Sequence, residues 1–396
     1  MEPSPSRPGA PKPYGHRAPP RLRRSGRCGD GLHAVGSRSG LPLDSRSLHI
    51  ARHGRLRTLG CPGRSTQVLR SERPERGGGG PVPTGRDRRG RSGGGGGSDR
   101  SLRRRPRCGR ALARRPLSGR SLVNQEALEW HDGAGDELLL LAHATGFCKE
   151  LWRPVVSSLR DQGATAAALA WDVRGHGRAS ALELPASWWT FGRDLVGLID
   201  SLAGAGRLPE SLVGVGHSMG GTVLVLAELL RPGTFTGLVL VEPVLIPPPF
   251  VRNPEFSLAQ GAARRRPVFG SRDELIESYL AKPLFQRWHP EAFRAYVEHG
   301  FEEVAEGLAL RCRREVEAEL FATGAECGAF ARLDELATPV RLVVTDRAGE
   351  LGPSLALLPE ALPNVTTTYM AGQSHLVPVE RPDLVAAEIA DALQAF

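Results

Sequence analysis

The chain has 396 residues and a formal charge of +9, from 52 Lys and Arg against 43 Asp and Glu. That balance is uneven: residues 1–120 hold 29 of the basic and 7 of the acidic residues, so the remainder is net acidic. No run of eighteen apolar residues occurs and the N-terminus has no apolar signal core, so neither a helical membrane span nor a secretory signal is expected.

Residues 1–120 are Arg, Gly, Pro and Ser with few aromatics, including glycine runs at 77–80 and 93–97 and the triplet Arg103, Arg104, Arg105. Such a segment buries too little apolar surface to offset the entropy of ordering it, and a disordered arm is expected. Dense arginine gives salt-sensitive affinity for polyanions. With hardly any aromatic side chains for stacking, no specific nucleic-acid partner is expected. No Met lies between Met1 and Met219, so a natural start near Val123 at another codon is one expectation. The cysteines Cys28, Cys61, Cys108, Cys148, Cys312 and Cys327 form no CxxC pair, a pattern of free thiols in a reducing compartment, the cytoplasm, with no metal site.

From residue 121 the chain reads as one globular domain of roughly 275 residues. Short apolar runs at 138–142, 165–171, 212–215, 238–241, 340–344 and 366–370 predict buried strands. They alternate with segments of helical period at 151–159, 191–202, 219–230 and 383–396, which is the signature of a mostly parallel sheet with helices on both faces. Between 243 and about 336 the alternation stops, and 273–280, 291–301 and 314–321 read as amphipathic helices. This interval is too long for a structureless loop and is expected to be an inserted helical cap.

Five segments carry chemistry. His143-Ala144-Thr145-Gly146-Phe147 follows the first strong strand, where a backbone N–H is needed to stabilise a tetrahedral oxyanion. Asp172-Val173-Arg174-Gly175-His176-Gly177-Arg178-Ala179-Ser180 suits a tight, internally hydrogen-bonded loop and is expected to serve the structure. Gly216-His217-Ser218-Met219-Gly220-Gly221 joins a strand to a helix by a turn tight enough to need Gly216 and Gly220, and so presents Ser218 as a nucleophile. Thr145 and Met219 are the expected oxyanion donors. After the strand at 340–344, Thr345-Asp346-Arg347-Ala348-Gly349-Glu350 offers two carboxylates, and Glu242 after the strand at 238–241 offers a third. Asp346 is the first candidate for the acid that orients the base, then Glu350, then Glu242. Finally Ala371-Gly372-Gln373-Ser374-His375 leaves the last strand, so that His375 can reach the serine hydroxyl from the same sheet edge.

Taken in order, the HxxGF-type turn, DxRGHGxS, GHSMGG and the final GxxHxxPxExP resemble the α/β-hydrolase superfamily over residues 123–396, in particular its capped, carboxylesterase-like members. The resemblance implies an eight-stranded, mostly parallel sheet, no cofactor, and Ser218, His375 and an acid acting as a triad. Two positions depart from the family pattern: Thr345 stands where glycine usually ends the acid-bearing strand, and Ala144 where many members have glycine.

The expected chemistry is two-step acyl transfer through an acyl-enzyme. A carboxylic ester, thioester, lactone or the carbon–carbon bond of a diketone all fit it, and a non-catalytic binding protein of the same fold is the rival class. Leu245, Ile246, Phe250, Phe269, Phe285, Trp288 and Phe293 in the cap suggest a small-molecule substrate with an apolar group, while Arg264, Arg265 and Arg266 offer an anion-binding alternative.

Overall fold

Continuous apolar strands are stable only where a sheet is covered on both faces, and the six strongest runs of this sequence meet that condition. The computed structural model describes residues 124–396 and the two-residue strand β1 (Val68–Leu69), all within the compact unit Gly63–Phe396. In chain order the main sheet next takes β2 (Leu128–His131), β3 (Glu137–Ala142), β4 (Ala167–Trp171), β5 (Ser211–His217) and β6 (Gly237–Val241). Three short strands, β7 (Val268–Phe269), β8 (Phe301–Val304) and β9 (Gly307–Leu310), make a second, antiparallel sheet. The main sheet is then completed by β10 (Val340–Arg347) and β11 (Val365–Ser374).

Across the main sheet the order is β1-β11-β10-β6-β5-β3-β4-β2. The six inner strands run parallel, and β1 and β2 are antiparallel edges. This is the eight-stranded, mostly parallel sheet that the family resemblance implies. Neither edge strand is anticipated by the sequence, because β2 is only half-buried throughout and has no apolar run. Strand β1 falls inside the interval expected to be disordered, where Val68 and Leu69 pair with Thr368 and Thr367 of β11. The rest of that arm lies outside the described residues.

Side-chain alternation divides each strand between two cores. Leu138 and Leu140 pack with Phe191 and Leu195 of α2 (Trp188–Gly204) and Val223 of α3 (Met219–Leu230). Leu139 and Leu141 pack on the other face with Val155 and Leu159 of the helix Arg153–Asp161 and with Val385 and Ile389 of the last helix, Pro382–Ala395.

Between β6 and β10 lies the inserted interval, and it is not purely helical. It contains the helices Ser257–Ala263, Arg272–Leu280, Pro283–Gln286, Pro290–His299 and Arg314–Thr323, but also β7 to β9. The helix predicted to run through Phe301 stops at His299, and Phe301 instead pairs with Leu310. Only Phe301 of β8 is buried, so that strand carries no apolar run, while β9 buries Leu308 and Leu310. Its turn depends on Gly307, at φ 126°, where a Cβ would strike the carbonyl of Phe269. The interval has a core of its own, in which Phe269, Tyr279, Trp288, Tyr296 and Phe301 meet Cys148 and Leu151.

The loop after β4 is tied down from inside. Buried Asp172 accepts from the backbone N–H of Lys149 (2.7 Å) and Arg178 (2.9 Å) and from Lys149 Nζ (2.9 Å). His143 Nε2 accepts the Val173 N–H (3.1 Å), which leaves Nδ1 to donate to the Ala144 carbonyl (2.8 Å). Burial lowers His143 to about 4 and His176 to about 3, so both rings are held neutral. Burial pushes Asp172 up to about 6 against the pull of Lys149.

These shifts set a pH dependence. A histidine whose folded pKa lies below its unfolded value stabilises the fold above the unfolded pKa and loses that stabilisation as pH falls, because the unfolded chain takes up the proton first. His143 and His176 therefore each remove about 1.4 kcal/mol per pH unit below about pH 6.5. Asp172 acts oppositely: its raised pKa favours the folded state as pH falls below about 6. The expected net result is a lower urea midpoint at pH 5 than at pH 7; an equal or higher midpoint at pH 5 contradicts neutral burial of the two rings.

Candidate active site

Ser218 sits between the end of β5 and the start of α3 with φ 53° and ψ −116°, a conformation that few residues other than glycine adopt. Its neighbours explain how the turn closes. A Cβ on Gly216 would come within 2.5–2.6 Å of the Gly220 and Gly221 backbone, and one on Gly220 would collide with the carbonyl of Ala142 at the end of β3. The Ser218 N–H extends the β5–β6 pairing by donating to the Val241 carbonyl (2.9 Å). Its side chain is thereby fixed and nearly buried, at 3% exposure.

His375 follows β11 directly. Its Nε2 lies 3.1 Å from Ser218 Oγ and its Nδ1 lies 3.1 Å from Glu242 Oε2. A carboxylate only accepts, so Nδ1 donates to Glu242 and Nε2 is free to accept the serine proton. The backbone of His375 is held as well, since its carbonyl accepts from His217 Nε2 at 2.8 Å. Burial, and then the neighbouring His375 ring, hold His217 well below the ordinary histidine pKa. Sequence reading leaves His217 without a task; its position next to Ser218 is the only signal it carries.

Glu242 is fully buried, one residue past β6, and also has a positive φ of 51°. Its N–H donates to the Val343 carbonyl (3.0 Å), and its Oε1 accepts the Thr345 N–H at 2.5 Å. Both carboxylate oxygens are thus occupied, one by β10 and one by the histidine.

The first-ranked acid, Asp346, is not at His375, which corrects the sequence expectation. Strand β10 does not end at Val344: it continues past an irregularity to pair Arg347 with Ser374. Asp346 therefore lies in an exposed strand extension, where its carboxylate accepts the Gly372 N–H (2.8 Å). Glu350 is not the partner of His375 Nδ1 either; it is an exposed residue of the turn Gly349–Leu351 and borders the cavity in front of Ser218.

Thr145 borders the same cavity as Ser218 and His375, and Met219 is the first residue of α3, where helical N–H groups have no intrahelical acceptor. The close approach of Gly220 to Ala142 sets the spacing between these two elements. The turn after β3 is supported from the inserted interval. At Gly146, φ 79°, a Cβ would meet the carboxylate of Glu317, which is ion-paired with Arg265. Arg265 in turn bonds the hydroxyls of Tyr279 (2.8 Å) and Tyr296 (2.7 Å).

The cavity measures about 300 Å³ and is walled by Ile246, Pro249, Val251, Phe256, Leu320 and Phe321, among others. Of the apolar residues expected to contact substrate, Ile246 borders it, Leu245 belongs to the main core, and Phe269, Phe285, Trp288 and Phe293 pack in the core of the inserted interval. Two members of the arginine triplet are ion-paired, Arg265 with Glu317 and Arg266 with Glu274, and none of the three borders the cavity. Among the described residues no His, Cys, Asp and Glu cluster could hold a metal ion, and no helix is long and apolar enough to cross a membrane.

Residues 139–388 match the model of the alpha/beta hydrolase family. The chain is 28% identical over 176 residues to the type I acyl-CoA thioesterase mpaH of Penicillium brevicompactum, covering 42% of this chain and 40% of that protein. It is 30% identical over 119 residues to the monoglyceride lipase of Homo sapiens, covering 30% of this chain and 38% of that protein. These matches span less than half the length of the curated relatives. Among solved structures, the peroxisomal alpha-beta-hydrolase Lpx1 of Saccharomyces cerevisiae superposes with a TM-score of 0.60 at 20% identity, covering 68% of this chain and 81% of that one. The thioesterase domain from the curacin biosynthetic pathway gives 0.54 at 19% identity, covering 66% and 94%. At these identities the structural likeness is one of fold. The sheet order, the strand–serine–helix turn and the family match lead to one conclusion: the chain belongs to the alpha/beta hydrolase family.

Proposed function

We propose that this protein is a serine hydrolase that cleaves a carboxylic ester or thioester through an acyl-enzyme, with Ser218, His375 and Glu242 as its triad. The observation that carries this reading is the unbroken hydrogen-bonded line from Ser218 Oγ through both ring nitrogens of His375 to Glu242. Ser218 Oγ attacks the carbonyl carbon while His375 Nε2 takes its proton, and buried Glu242 stabilises the imidazolium and holds its tautomer. The oxyanion is received by the N–H groups of Thr145 and Met219. His375 then returns the proton to the leaving alcohol or thiol, and a water activated by the same nitrogen hydrolyses the acyl-enzyme. The thioesterase and lipase relatives support the choice of ester and thioester bonds.

Residues 121–396 are read as the catalytic domain and 243–336 as its cap, and the substrate as a small molecule with an apolar group that the cavity walls can cover. A cytoplasmic location is supported by the free thiols Cys148, Cys312 and Cys327.

Labelling with a serine-reactive fluorophosphonate tests the nucleophile: the protein is expected to label, and Ser218→Ala to lose both labelling and hydrolysis of p-nitrophenyl butyrate. His375→Ala is expected to lower kcat by at least about a thousandfold. Label retained in folded Ser218→Ala defeats the reading.

The acid is tested by comparison. Glu242→Gln keeps the side-chain shape but removes the charge facing His375, and kcat is expected to fall by roughly a thousandfold or more. Asp346→Asn is expected to stay within about threefold of the parent, since its partner is a surface N–H. A greater loss from Asp346→Asn than from Glu242→Gln reverses the assignment.

A further inference from the structure

The cavity in front of Ser218 has an electrostatic character that the reaction itself does not require. Its walls include no Lys or Arg, and Glu350 is the carboxylate among them. Glu350 is exposed and has no hydrogen bond or ion pair among the described residues. Of the arginines in the adjoining segments, Arg252 is paired with Glu319 and Arg265 with Glu317, and Arg347 at the end of β10 is not among the cavity walls. The same cavity has apolar walls that include Pro249, Val251, Phe256 and Leu258.

We infer that Glu350 makes this cavity selective for uncharged acyl groups and against acyl groups that end in a carboxylate. The inference rests on the proposed hydrolase reading, because it concerns the group that Ser218 would acylate. An ω-carboxylate entering an apolar cavity of about 300 Å³ loses hydration and finds no cation to replace it. It also meets the like charge of the Glu350 side chain at the cavity wall. A methyl-terminated chain of the same length meets neither penalty and gains contact with the walls.

The test compares p-nitrophenyl hexanoate with mono-p-nitrophenyl adipate, which share a six-carbon acyl chain and differ in the terminal carboxylate. The parent protein is expected to prefer the hexanoate in kcat/KM. Glu350→Gln is expected to shrink that preference by about tenfold, and Glu350→Lys to shrink it further or reverse it. Binding of hexanamide and adipic monoamide to the same three proteins, measured by calorimetry, follows the same selection without any bond being cleaved. If neither ester is hydrolysed but the amide preference still shifts in the variants, the hydrolase reading fails and the charge selection stands. A preference for hexanoate over adipate that stays the same in Glu350→Gln and Glu350→Lys, for esters or for amides, overturns the selection.

Discussion

The site depends on two adjacent strand ends that leave the sheet in backbone conformations other residues avoid. Ser218 and Glu242 are the positive-φ residues other than glycine among the described residues, and they end the neighbouring parallel strands β5 and β6. Each conformation costs about 1–3 kcal/mol and persists only where its surroundings leave no alternative. At Ser218 the alternatives are removed by Gly216 and Gly220, whose missing side chains let α3 start directly against β3 and β5. At Glu242 they are removed by hydrogen bonds on both sides of the residue, to the Val343 carbonyl and from the Thr345 N–H. The two strained residues are themselves linked, because Ser218 donates to the carbonyl of Val241.

Those features that depend on local pattern were legible in the sequence. The six parallel strands appear as apolar runs because both of their faces are buried, and Leu138 to Leu141 alternate between the two cores without a polar interruption. The glycines around Ser218 are legible because the close approach of α3 to β3 permits no other residue. The edge strands β1 and β2 and strand β8 leave no such mark, since a strand with one open side or a single buried residue needs no apolar run. In the inserted interval the aromatic residues were legible as buried, but not which core they fill. Phe269 and Trp288 close a local cluster over Cys148, whereas the cavity takes its walls from less conspicuous residues such as Pro249 and Val251.

The position of Glu242 shows where local pattern ends. A carboxylate in a loop after a strand is a plausible partner for a histidine, and Asp346 has the spacing for it. Its exclusion depends on the partner strand: β10 and β11 both extend beyond their neighbours and keep pairing to Arg347 and Ser374. That extension carries Asp346 to the surface and leaves the Thr345 N–H pointing at the end of β6. The side chain that accepts it, Glu242, belongs to the strand between β5 and β10, so its carboxylate lies under the histidine loop where that loop crosses toward Ser218. Sequence distance is not informative here, because Glu242 precedes His375 by the whole inserted interval.

The same interval also supports the turn after β3. A buried ion pair such as Arg265 with Glu317 adds little stability of its own, since desolvating both charges offsets most of their attraction. Its effect is geometric: neither charge can move without leaving the other buried and unpaired. Arg265 follows the helix Ser257–Ala263, and Glu317 lies on Arg314–Thr323, so the pair locks these two helices together. The Glu317 carboxylate is held against Gly146, at a point where any side chain on that residue would displace it. Thr145, one residue earlier, is thus confined from below by the sheet and from above by the inserted interval. The cavity walls and the turn that faces Ser218 are parts of one packed structure, and a change in the interval that separated Arg265 from Glu317 would reach the turn before it reached the strands.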